Sequence, residues 1–148
     1  MFPRTTTIPT DDAIARIAQG LLDHTLPKAE WTHAAHWAAA LWLLRHAPDR
    51  AAPDAMGRII RSYNISVGGQ NTDTAGYHET ITIASLRAAA DQLARHAPDA
   101  PLHDVLADLL TGHLGGPEWP LAFWRRATLF SVEARRVWVA PDLADLPF

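Results

Sequence analysis

The stretch from Thr32 to His46 carries Trp37, Leu41, Trp42, Leu43 and Leu44 among five alanines, so as a helix it has almost no face to offer to water. Such a helix has to be surrounded, and this one requirement organises the reading of the rest of the chain. It calls for several amphipathic partners wrapped around a central segment. The most apolar part, Ala34 to Leu44, is interrupted by His36 and falls well short of the ~20 residues that cross a bilayer.

Partners of the right kind are present. Thr10 is a cap candidate for a first helix over Asp11 to Leu22, with Ile14, Ile17, Ala18 and Leu21 on one stripe. Arg45 and His46, followed by Ala47-Pro48, close the central second helix. Asp54 is the expected cap of a third helix carrying Met56, Ile59, Ile60 and Tyr63 and ending near Asn64. The glycine-bearing run from Ile65 to Gly76 reads as a hinge-like linker. A fourth helix is expected from near Tyr77 to His96, apolar on two sides and therefore packed between neighbours. Asp99 and Pro101 announce a fifth, with Leu102, Val105, Leu106, Leu109 and Leu110. Beyond Pro117 the pattern weakens to a short aromatic-rich helix, a last one opened by Ser131 and an irregular tail anchored by Leu143, Leu146 and Phe148.

No segment alternates with period two, so the expected fold is all-α: one helical domain over residues 1–148, a bundle of about five main helices with short C-terminal ones and irregular termini at 1–10 and 141–148. The pentapeptide Arg45-His46-Ala47-Pro48-Asp49 recurs as Arg95-His96-Ala97-Pro98-Asp99, each time at a helix exit. It is read either as a trace of duplication or as the same helix-stop grammar used twice.

Composition removes several function classes. With no cysteine there is no disulfide framework, thiol nucleophile, thiolate metal site or iron-sulfur cluster. Thirteen Lys and Arg against sixteen Asp and Glu give a net charge of −3 and no basic stripe, which argues against nucleic acid as partner. The first ten residues lack the continuous apolar segment of a secretory signal, so a cytoplasmic protein without membrane association is expected.

Chemistry, if any, has to come from the eight histidines. His46 and His96 sit in last helical turns, where they complement the helix dipole, and His103 is read as a solvated first-turn residue. His33 and His36 open the second helix in Trp31-Thr32-His33-Ala34-Ala35-His36-Trp37, and three residues of spacing lets them lean toward one point. His78-Glu79 opens the fourth. If short connections make the second and fourth helices parallel, both openings lie at one end of the bundle, with Tyr63, Asn64 and the glycine-rich linker beside them. Trp31, Trp37, Tyr63, Asn64, Tyr77 and Thr82 are then the candidate walls of a substrate pocket, and His24 and His113 are near enough to be considered with it.

Two or three imidazoles with a carboxylate fit a divalent zinc, iron or manganese ion with an open position, which makes His33, His36, His78 and Glu79 the candidate ligand set. Adjacent side chains point about 100° apart, so of His78 and Glu79 one would ligate and the other act as base. Two converging helix N-termini favour anions, however, which supports a metal-free His/Glu acid–base pocket or a binder of small anions at the same place. A purely structural role for the histidines is the third reading.

The Trp-Thr-His-x-x-His start, the Tyr-His-Glu-Thr-Ile-Thr start and the closing Ala134-Arg135-Arg136, Trp138-Val139 and Pro141-Asp142-Leu143 resemble a family of small bacterial all-α proteins. The resemblance spans most of the chain. It implies that His33, His36, His78 and Glu79 belong together, and it implies no particular reaction. The expectation is a metal-dependent enzyme, hydrolytic or lyase-like, in which metal-activated water or a Lewis acid works on a small molecule, with a homodimer allowed as its assembly.

Overall fold

The computed structural model describes residues 8–148, and among these the chain is all-α, without strands. The elements are α1 (Asp11–Asp23), α2 (His33–His46), α3 (Pro53–Ser66), α4 (Glu79–Ala94), α5 (Leu102–Thr111), α6 (Arg126–Leu129) and α7 (Val132–Arg136). Short 3-10 turns occupy Lys28–Glu30, Pro48–Ala51, His113–Gly115 and Trp119–Ala122. No described helix is long and apolar enough to cross a membrane. Of the expected irregular N-terminus, residues 1–7 lie outside the described residues, while Ile8 is buried in the core.

α2 is the centre of the bundle, as its sequence demands. Ala34, Ala35, Trp37, Ala38, Ala39, Ala40, Leu41 and Leu43 are all buried, and α1, α4 and α5 pack around it. The alanines matter as much as the large residues, because methyl groups let neighbouring backbones come close. α1 contributes Ile14, Ile17, Ala18 and Leu21 from its single apolar stripe, and α5 contributes Leu102, Val105, Leu106 and Leu109.

Helix ends depart from expectation for identifiable reasons. α3 begins at Pro53, whose missing N–H and fixed φ suit a first position, so Asp54 falls inside the helix and no side chain caps it. α3 runs on to Ser66, shifting the linker two residues along the chain to 67–78. α4 begins at Glu79, two residues late, because His78 is extended (φ −133°, ψ 108°) and is itself the cap, and it ends at Ala94. α5 has no cap from its own chain segment. Instead Asp11, in the first turn of α1, accepts the backbone N–H of His103 at 2.8 Å and faces its Nδ1 at 2.7 Å. His103 is therefore half-buried and bonded, where the sequence suggested a solvated side chain.

In the tail, Leu146 and Phe148 pack on the core, whereas Leu143 is 54% exposed and contributes its backbone N–H, which donates to Phe123 O at 2.9 Å. The tail is also held by Asp142, which accepts from Arg125 N and Thr128 Oγ1, hydrogen bonds that hold its carboxyl below the usual range. The two Arg-His-Ala-Pro-Asp copies lie at one end of the bundle: Arg45 donates to the carbonyl of Ala100, just after the second copy. The first copy leads through a 3-10 turn into α3, whereas the second passes directly through Pro101 into α5.

The linker is tied down at both ends. Gly69 N donates to Asn64 O at 2.8 Å, and Asn71 Oδ1 accepts from both Asn64 Nδ2 and Tyr77 N. Asp73 forms a two-bond pair with Arg136 of α7 at 2.8 and 2.7 Å, and Arg135 donates to Gly76 O. Gly76 adopts φ +85°, and a Cβ there would lie 1.9 Å from Gln70 O. Gly76→Ala should therefore lower stability by at least about 1–2 kcal/mol from the left-handed conformation alone, with the backbone clash adding to it, read as a lower urea midpoint at unchanged slope.

Candidate functional site

α2 and α4 are parallel neighbours. Their first turns share one cavity, and the far end of α2 meets the segment just past α4 through the Arg45–Ala100 hydrogen bond. The end of the bundle where both helices begin encloses two adjoining hollows. The inner one, about 360 Å³, is walled mainly by apolar side chains of α1, α2, α3 and α4 and by Trp119 and Pro120. The outer one, about 440 Å³, lies under the 67–78 linker and adds Tyr63, Asn64, Gln70, Tyr77 and His78. Both are within the ~300–1,000 Å³ range of small-molecule sites. Trp31, His36, Ile60, Ile81 and Thr82 are common to both, so these residues form the partition.

His36 is the polar centre of that partition. Its ring stacks on Trp31 with centroids 3.8 Å apart and planes at 28°, and Tyr63 in turn packs edge-on against Trp31 at 5.5 Å. Nδ1 lies 2.7 Å from the carbonyl of Thr32, which can only accept, so the proton of the neutral ring is assigned to Nδ1. The lone pair is then on Nε2, for which no protein donor is present among the described residues. His36 borders both hollows on their open side and is an exposed residue. Burial, with His33 nearby, lowers its pKa, to about 4, against a smaller opposite effect of the Thr32 hydrogen bond. With its pKa lowered, His36 is neutral at pH 7 and presents a base.

The other two histidines each hold a distant segment in place, although His33 does so through one nitrogen only. His33 Nε2 lies 2.9 Å from Leu114 O and 3.1 Å from Trp37 Nε1, which itself is 3.1 Å from Leu114 O. Since the indole N–H and the carbonyl have fixed roles, both nitrogens donate to Leu114 O, and His33 anchors the segment after α5. His78 uses both nitrogens: Nδ1 accepts from Ile81 N at 3.2 Å as the cap of α4, and Nε2 donates to the carbonyl of Leu129 at 2.7 Å. Burial, followed by the opposing Leu129 hydrogen bond and then the Arg135 charge, leaves its pKa lowered. Glu79 accepts from Tyr77 Oη at 2.7 Å and is outside the walls of both hollows. Tyr77, buried and bonded to that carboxylate, has its pKa raised.

The expected four-residue ligand set is thus not gathered around a point. Among the described residues no group of three or more His, Asp or Glu is placed to hold a metal ion. His78 has no lone pair left, and Glu79 turns to Tyr77. The expected catalytic pair, His78 and Glu79, serves as helix cap and tyrosine anchor. The six expected wall residues fare differently: Trp31 and Thr82 line both hollows, Trp37 the inner, and Tyr63, Asn64 and Tyr77 the outer. His24, at the end of α1 with φ 64°, and His113, 6.0 Å from the Phe123 ring, line neither.

Sequence reasoning missed Ser85, Met56 and Lys28 as wall residues. Ser85 had a signal, one turn from Thr82 on the apolar side of α4 with a hydroxyl to offer inward. Trp119, buried in the core, is also wall, with Pro117 and Pro120 beside it in the lining.

Compared with family models, curated proteins and solved structures, the chain matches none.

Two outcomes are expected from this geometry. His78→Ala removes a cap and strands a buried carbonyl, and should cost about 2–4 kcal/mol, with His78→Asn losing less because its amide keeps the capping acceptor. Thermal melts should give the same difference with or without added zinc, iron(II) or manganese. For pH, His36 and His78 have folded pKa values below the unfolded value of ~6.5, so the folded state is favoured fully above that pH and loses stability as pH falls toward 4. Melting temperatures should be level from pH 8 to 7 and decline below about 6.5, and a His36→Gln, His78→Asn double variant should flatten that decline.

Proposed function

We propose that the chain binds a small molecule in the paired hollows and acts on it by metal-free acid–base chemistry, with His36 Nε2 as the proton acceptor. The observation that carries this reading is the fixed imidazole of His36: one nitrogen is pinned to Thr32 O, and the other is left with its lone pair in a largely apolar cavity. A base of that kind is already neutral at pH 7 and can accept a proton from a bound substrate. Thr82 and Ser85 supply neighbouring hydroxyls, and Trp31 holds the ring in place. A neutral base serves proton abstraction, isomerisation or addition–elimination on a small molecule better than it serves metal-assisted hydrolysis.

The test begins with a thermal-shift screen of small molecules, since specific binding raises the melting temperature. Ser85→Trp, which fills the inner hollow, should abolish the shift given by true ligands. His36→Phe keeps an aromatic ring on Trp31 but no nitrogen. It should retain binding within a few fold while turnover of the ligand found falls by about 10²–10⁴. Wild-type turnover in His36→Phe would remove His36 from the chemistry, and ligands that bind Ser85→Trp undiminished would remove the cavity.

A further inference from the structure

We infer that the two hollows hold a single amphipathic monocarboxylate, its apolar body in the inner one and its carboxylate in the outer one on Lys28. This rests on the reading of the cavity as a small-molecule site and adds the class of molecule.

The two hollows differ in what they offer. The inner is bounded by Leu21, Trp37, Met56, Ile60, Leu86 and Trp119, with the Thr82 and Ser85 hydroxyls as its polar exceptions beside the histidines. The outer is bounded by amide, hydroxyl and backbone groups of Tyr63, Asn64, Gln70 and the linker. An occupant that satisfies both is apolar at one end and polar at the other, and its middle passes the Trp31–His36 partition.

Charge decides the sign of the polar end. Although the chain has sixteen acidic residues and a net charge of −3, no carboxylate lines either hollow. Lys28 is the one lysine of the sequence and, His apart, the one ionisable cation in those walls. Its ammonium is in no ion pair among the described residues. The nearest acid in sequence, Glu30, is taken by Arg16. Arginines on the same side are engaged elsewhere: Arg61 lies over the Tyr77 ring, Arg136 pairs with Asp73 and Arg135 donates to backbone carbonyls. A single free ammonium matches a single negative charge. Phosphate groups, which carry more charge and favour planar two-bond partners, would call for the arginines that are absent from the walls.

Octanoate, octan-1-ol and octylamine share a tail and differ in head group, and they probe the inference on the full chain at pH 7.5 by calorimetry and tryptophan fluorescence. Octanoate is expected to bind about tenfold or more tighter than octan-1-ol, with octylamine weakest. Lys28→Met, a change at an exposed position, should bring octanoate down to the octan-1-ol level without altering octan-1-ol binding, and Lys28→Arg should keep the preference. Reductive ¹³C-methylation gives one lysine side-chain signal, which octanoate should shift and octan-1-ol should not. Equal binding of octanoate and octan-1-ol, or undiminished octanoate binding by Lys28→Met, overturns the carboxylate assignment and leaves the small-molecule reading standing. No binding by any of the three overturns the amphipathic class. The ligand screen with Ser85→Trp decides the cavity itself independently.

Discussion

A helix with no polar face cannot lie on a surface, and the architecture comes from finding places for the elements that cover α2. Burying eight of its fourteen residues requires neighbours on several sides. Its alanines bring α1 and α4 near, and where the larger residues Trp31 and Trp37 hold neighbours apart, at the N-terminal end, the packing leaves space. The cavity is therefore a product of the same side-chain pattern that makes the core: small residues along the shaft, large aromatics at the opening.

The histidines at that end show how hydrogen-bond accounting separates structure from chemistry. An imidazole has two nitrogens, and a carbonyl partner dictates which of them carries the proton. His78 spends one nitrogen as acceptor and one as donor, and His33 spends its Nε2–H on Leu114 O. His36 spends only Nδ1, and does so on its own helix. Of three imidazoles brought to one region, His33 and His78 tie distant segments to the bundle, and His36, bonded only within its own helix, borders both hollows.

The C-terminal third supplies most of the acceptors in this arrangement. Leu114 O receives His33 and Trp37, Leu129 O receives His78, Val137 O receives the Thr80 hydroxyl, and Val139 O receives the Trp124 indole. Thr80 is fully buried and also accepts from Val139 N, so the start of α4 is stitched to the segment after α7. A stretch with weak periodicity thereby fixes the ends of two well-formed helices, and α7 secures the linker through Arg135 and Arg136.

The all-α class, the five main helices, the central position of α2 and the wall residues Trp31, Trp37, Tyr63, Asn64, Tyr77 and Thr82 were legible in the sequence because periodicity and end signals are local properties of the chain. Pro53 at the start of α3 and His78 at the start of α4 were misjudged by a residue or two, since capping depends on the φ and ψ of a single residue, which composition does not set. The grouping of His33, His36, His78 and Glu79 came from a correct expectation that α2 and α4 begin side by side. Which of them tie distant parts of the chain together depended on carbonyls 51 to 81 residues away. Residue type and spacing thus determined the fold and the end of the bundle where the hollows lie. The tertiary structure alone decided that His33 and His78 are engaged and that His36 borders the hollows, because the carbonyls of Leu114 and Leu129 and the walls around His36 are brought there only by folding.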